Sequence, residues 1–216
     1  MKRFYKLTAL AVLLALVFTL SGCSWFGMSR TLTQEEIDAI EVGTVTDGVY
    51  HNETFDLTFA VPEGWTVSTQ DEILSFNKWK ADKDKKEQAL DSLGKPGYFY
   101  EMSVSRDDGK AAVTVCVENA SILEQPDITE DMYAASALLN AQEHFKEAGC
   151  LNVEIEKICE SFAGEDHYGY YATCTSPTGT LLYYKAIYVK EGIYAAVITA
   201  TSAEEDLTGE ALAVFE

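Results

Sequence analysis

Basic residues are scarce in this chain. Lys and Arg number 16 against 35 Asp and Glu over 216 residues, a net charge of −19. A surface of that sign repels phosphate backbones, so nucleic-acid binding is excluded. Proline (4) and histidine (3) are few as well. HExxH, Gly-x-Ser-x-Gly, a phosphate-cradling Gly-rich loop and a dinucleotide fingerprint are all missing, so the common hydrolase, nucleotide and dinucleotide chemistries have no motif to rest on. There is no CxxC, and none of His51, His144 and His167 stands at zinc-finger spacing from a cysteine pair. Asp82-x-Asp84 lacks the glycine and glutamate of an EF-hand loop. The expectation is therefore no metal, no cofactor and no catalysis. No strongly apolar run is long enough for a membrane span of about 18 residues or more.

The longest such run, Leu7 to Leu20, has 14 residues and follows a start carrying Lys2, Arg3 and Lys6. Basic flank, short apolar core and small residues form the pattern of a secretory signal peptide. The run ends in Leu20-Ser21-Gly22-Cys23. That ending resembles the lipobox of bacterial lipoproteins. The resemblance implies that residues 1–22 are removed and that Cys23 becomes a diacylated, palmitate-type first residue. Two chains hold a protein to a bilayer stably where one holds it marginally, at about 0.8 kcal/mol per buried CH₂. The expected location is the cell membrane, lipid-anchored on its extracytoplasmic face.

Without residues 1–22 the chain keeps 13 basic and 35 acidic residues, a net charge of −22 over 194 residues. That length suits one domain. Charged residues make up 24 % and aromatics 12 %, a folded composition rather than an acidic disordered tail. The division is 1–22 signal peptide, 23–44 tether and short helix, and 45–216 one domain. In the tether, Trp25 and Phe26 are placed to rest at the membrane interface.

Along the chain, Thr33-Gln34-Glu35-Glu36 has the form of a capping box opening a short helix, with Gly43 as its stop. Val45–Tyr50 and Thr54–Val61 alternate as strands, and Pro62-Glu63-Gly64-Trp65 turns a large aromatic back toward the core before a short strand at Thr66–Ser68. Ser68 or Thr69 caps a helix with Ile73, Leu74, Phe76 and Trp79 at helical spacing. Five lysines then fall within residues 78–86. They form a solvated face or, alternatively, a docking patch for an anionic partner. Strands at Tyr98–Arg106 and Lys110–Glu118 flank an Asp107-Asp108-Gly109 hairpin turn. A long helix opens at Asp127-x-x-Glu130 and runs to Gly149, with Met132, Ala135, Leu138, Leu139, Ala141 or Gln142, and Phe145 as its apolar stripe. Four strands follow, at 152–160, 167–175, 180–190 and 193–201, then a helix over 203–215 with Leu207, Leu212 and Phe215 inward. The class is α+β: an antiparallel sheet flanked by helices, preceded by the N-terminal signal helix.

Gly48-Val49-Tyr50-x-Asn52, Phe55-Asp56-Leu57-Thr58-Phe59 and Val61-Pro62-Glu63-Gly64-Trp65 resemble the opening of the PsbP-like lipoproteins of Firmicutes. The later element order is similar too, so the resemblance spans residues 45–215. It implies an α/β/α sandwich around an antiparallel sheet and an accessory or binding role. No metal-binding position of that family matches residue by residue.

Two clusters remain. If the strands 152–160 and 167–175 pair around residue 163, opposite residues sum to about 326. Cys174 then faces Asn152 beside Cys150, a candidate disulfide, and Cys159 faces His167. Tyrosines crowd the predicted strands, and Tyr168, Tyr170, Tyr184 and Tyr188 fall on shared faces. These pack beneath helices or, alternatively, line a cleft for a peptide, glycan or small ligand. His167, beside Glu165 and Asp166, is a candidate acid–base group. The favoured reading is a membrane-anchored, non-catalytic binding or accessory domain with an envelope protein, peptide or glycan as partner. The alternatives are an envelope enzyme whose groups converge only in the fold, and an assembly factor of an envelope complex.

Overall fold

The computed structural model describes residues 32–94, 97–121 and 128–214. The signal segment, Cys23, Trp25, Phe26, Asp127 and Phe215 lie outside the described residues. The elements run α1 (Gln34–Ala39), β1 (Thr44–Thr46), β2 (Val49–Asn52), β3 (Leu57–Ala60), β4 (Trp65–Val67), α2 (Gln70–Asn77) and α3 (Lys85–Gly94). Then come β5 (Tyr98–Arg106), β6 (Ala111–Asn119), α4 (Glu130–Glu147), β7 (Leu151–Phe162), β8 (Glu165–Thr175), β9 (Leu181–Glu191), β10 (Tyr194–Ala203) and α5 (Thr208–Leu212). The class is α+β with antiparallel sheets. Seven strands lie in the order β4-β5-β6-β10-β9-β8-β7, and β1-β2-β3 form a smaller sheet.

The large sheet is covered on both faces, which is why every residue of β6 is buried. On one face α4 sits over Cys116, Tyr170, Ala172, Tyr184, Ala186 and Tyr188. On the other, Phe99, Met102, Val113, Val115, Val117, Ala196 and Ile198 pack against Tyr50, Leu57 and Phe59 of the small sheet, Ala89 and Leu93 of α3, and Leu212 of α5. The second layer is thus part sheet and part helix, where the family resemblance implied helices alone.

Local chemistry explains the starts and stops. Thr33, Thr69 and Thr129 each cap a helix through their side chains, the first two in full capping boxes. Asp84 caps α3, an element with no sequence signal strong enough to predict it, by accepting from Glu87 N at 2.9 Å. The strand expected at 45–50 is two strands, because Asp47 (φ 51°) and Gly48 (φ 77°) form a two-residue turn between them. Gly43 does not end α1, which stops at Ala39 with Ile40 extended. The stripe of α4 is rotated from expectation. Tyr133, Ala134, Ala137, Ala141 and Phe145 are buried, whereas Met132 (46 %) and Leu139 (63 %) are exposed. The tyrosines of the sheet supply the bulk at this contact, so the helix offers alanines and approaches closely. The last helix is shorter than expected, Thr208–Leu212.

Candidate functional site

A groove of about 710 Å³ opens where the small sheet meets the large one. All of β1, the 41–43 segment before it, Val67 of β4, Ile73 of α2, Trp79, Lys85, Lys86 and the β5 residues Tyr100, Glu101 and Met102 line it. Both sheet edges come to it: among the described residues β1 pairs only with β2, and β4 only with β5.

Glu101 forms its floor. The β5–β6 register slips between Tyr100 and Met102, so Glu101 sits at a bulge whose side chain leaves the ladder. Its carboxylate is buried and accepts three hydrogen bonds. Gly43 N donates to Oε1 at 2.7 Å, and Tyr50 OH and Asn52 Nδ2 donate to Oε2 at 2.5 and 2.9 Å. Burial raises the Glu101 pKa from its ordinary value, while these donors pull the other way. Gly43 is needed because a Cβ there would meet Glu101 Oε2 at 2.5 Å and Tyr50 Cε2 at 2.6 Å. Asn52 also accepts from Thr54 N and Phe55 N, which shapes the β2–β3 turn. One buried carboxylate therefore joins the two sheets and fixes one wall of the groove. Three donors from two segments hold it in place, a positional role.

The rim sets Lys85 and Lys86 beside Glu41 and Asp84 around an aromatic. Trp79 donates from Nε1 to Ser92 Oγ at 2.9 Å and packs on Phe99 at 5.6 Å between ring centroids. Its far side borders a second depression with Lys78, Lys80 and Lys83.

A second buried carboxylate lies beneath α4. Glu118 is 1 % exposed, Tyr133 OH donates to its Oε2, and its Oε1 has no hydrogen-bond partner among the described residues. Burial pushes its pKa up to about 7, against the hydrogen bond from Tyr133.

The residues singled out from sequence are placed as follows. Tyr170, Tyr184 and Tyr188 are at most 1 % exposed and face α4, where Tyr188 meets Tyr133 and Tyr184 meets Phe145 edge-on. A ligand cleft at these three is corrected to core packing. Tyr168 is half-buried, with Lys157 Nζ 5.4 Å above its ring. Cys150 and Cys174 are free, buried thiols in contact; burial first and the Cys150 thiol next push the Cys174 thiol well above its ordinary value. Opposite residues of β7 and β8 sum to 327 along most of the ladder, so Cys159 faces Tyr168 and Glu160 faces His167, one residue from expectation. Asn152 (φ 51°) bulges out instead of facing Cys174, and the ladder closes at Leu151–Thr175.

His167 Nδ1 lies 3.0 Å from Glu130 Oε2, and that carboxylate also accepts from Tyr168 N and Lys190 N. The Glu130 hydrogen bond raises the His167 pKa, against partial burial. These bonds pin the start of α4 to the sheet. Neither His167 nor His144 lines the groove or the depression beside it. Among the described residues no group of three or more His, Cys, Asp and Glu is placed to hold a metal ion. Sequence reasoning missed Glu101 and Glu118, which read as ordinary strand residues, and took Glu130 only as part of a helix start, where it also binds His167, Tyr168 N and Lys190 N. Only the even spacing of Tyr50 and Asn52 hinted at a shared polar contact.

No protein-family model and no curated protein matches the chain. Solved structures do. The solution structure of cyanobacterial PsbP (CyanoP) from Synechocystis sp. PCC 6803 aligns with a TM-score of 0.47 at 11 % identity, covering 83 % of this chain and 98 % of that one. LpqN of Mycobacterium tuberculosis, described as involved in cell envelope biogenesis, aligns at 0.36 and 10 % identity, covering 87 % and 92 %. PA94 of Pseudomonas aeruginosa, a protein of unknown function and putative regulator, aligns at 0.30 and 13 % identity, covering 47 % and 66 %. The α+β, antiparallel class of this chain stands on its own strand pairing.

Proposed function

We propose that this chain is a lipid-anchored extracytoplasmic protein that works as a non-catalytic binding or accessory domain. The observation that carries the reading is the order of its first 23 residues: basic start, short apolar core, then Leu20-Ser21-Gly22-Cys23. Cys23 is the lipidation site, and the lipid is its membrane partner. A domain of charge −22 is repelled by an anionic bilayer, so attachment falls to the lipid and not to the protein surface. The open groove supports the binding half of the reading. Its buried carboxylate is committed to holding the sheets together, which leaves the groove a surface for contact rather than for bond-breaking.

Metabolic labelling tests the anchor. Palmitate label is expected on the wild-type protein in the membrane fraction, and Cys23→Ala is expected to carry none and to leave that fraction. Label that persists in Cys23→Ala would overturn the reading.

A further inference from the structure

We infer that the groove takes an acidic polypeptide segment in extended conformation, added as a strand to the open edge of β1 beneath the lysines of residues 78–86. The inference deepens the binding-domain reading and rests on it.

The first observation is a run of lysines without ion-pair partners. Residues 78–86 hold five of the 13 basic residues that follow the signal segment. Elsewhere Lys157 pairs with Asp131, Lys185 with Glu160, and Arg106 with Asp108 and Glu210. Within the run only Lys86 is paired, to Glu41 at 3.1 Å. Lys78, Lys80, Lys83 and Lys85 are exposed and form no ion pair with any described residue. Asp82 and Glu87 stand exposed among these lysines and Asp91 lines the same depression, so the surplus of positive charge is small and local. The other three acids at the groove are employed. Glu41 is held by Lys86, Asp84 caps α3, and Glu101 is buried under three donors. On a protein this acidic, a run of unpaired lysines selects an acidic partner, while the net charge of −22 opposes a second copy of the same chain.

The second observation is backbone geometry. The Asp47-Gly48 turn makes Thr46 and Val49 the hydrogen-bonded pair that closes the hairpin. Val45, opposite Tyr50, is therefore a non-hydrogen-bonded position with respect to β2. Its N–H and C=O stand on the open edge, and the residue lines the groove. An edge in that state is a template for strand addition. Val67, Trp79 and the edge of Ile73 provide apolar surface for alternate side chains of an added strand. Its outward side chains would meet Lys85 and, past Trp79, Lys83 and Lys80.

The probe is a fluorescent peptide of about seven residues that alternates glutamate with valine, a length matching a common strand. Its anisotropy is read against the full folded chain at about 50 mM salt. Saturable binding is expected, weakened about tenfold or more by Lys83→Glu combined with Lys85→Glu, and similarly by Val45→Pro, which removes the edge donor. The same peptide with alternate backbone nitrogens methylated leaves the protein untouched and is expected not to bind. Absence of binding would overturn the inference. So would equal binding of the methylated peptide, or equal binding of inorganic polyphosphate, because either makes the contact a matter of charge alone. None of these results alters palmitate labelling at Cys23, so failure here is separable from failure of the anchored-protein reading.

Discussion

Replacing Glu101 with alanine should destabilise the domain by about 4 kcal/mol, read as a lowered urea midpoint. The change strands three donors at once: the buried Tyr50 OH and Asn52 Nδ2 and the half-buried Gly43 N. Each buried group left without a partner costs about 1–3 kcal/mol. Relief from burying a carboxylate, whose pKa is already raised, returns part of that. The loss should be local as well as global. Residues 43–52 lose their tie to β5, so their amides should exchange with solvent well before those of β6 and β10. A loss below about 1 kcal/mol would show that the small sheet stays in place by apolar packing of Tyr50, Leu57 and Phe59 alone.

Glu118→Gln should do the reverse at neutral pH. The folded-state pKa of Glu118 lies near 7 against an ordinary value of 4.5, so the protein must bind a proton or bury a charge. Stability from this group is fully present below about pH 4.5, falls as pH rises, and levels off above about pH 7. The difference amounts to about 3 kcal/mol at 1.36 kcal/mol per pKa unit. Glutamine keeps the shape, still accepts from Tyr133 OH and carries no charge, so the variant should be about 3 kcal/mol more stable than wild type at pH 8 and nearly equal to it at pH 4.5. His167, whose pKa is raised by Glu130, also loses its contribution as pH rises. The variant isolates the Glu118 part because it leaves that pair untouched. Urea midpoints at the two pH values decide it; a difference from wild type that is the same at pH 8 and pH 4.5 would mean that Glu118 does not change protonation between them.

Much of the fold is legible in the sequence because alternation and turn chemistry are local. The Asp107-Asp108-Gly109 and Ser176-Pro177-Thr178-Gly179 turns set the hairpins β5–β6 and β8–β9, and the β7–β8 ladder lies one step from the expected sum. What escaped was decided by partners distant in sequence. Met132 and Leu139 look like a core stripe until the sheet beneath α4 fills the space with Tyr170, Tyr184 and Tyr188. Glu101 and Glu118 sit inside runs of buried residues, and nothing next to them reveals that Gly43, Tyr50, Asn52 and Tyr133 will arrive from 15 to 58 positions away. The candidate site is of this second kind. Its lysines are visible as a run, yet their placement beside an open strand edge depends on how the two sheets meet.

The central claim is that this anchored domain works through the groove. A photo-crosslinking amino acid installed at Val45 on the groove, or at Leu139 on the opposite, exposed face of α4, tests it in intact envelopes. Adducts to polypeptide from position 45, lost when Lys83 and Lys85 are both glutamate, with none from position 139, are the predicted result. Adducts from position 139 and none from position 45 would contradict the account.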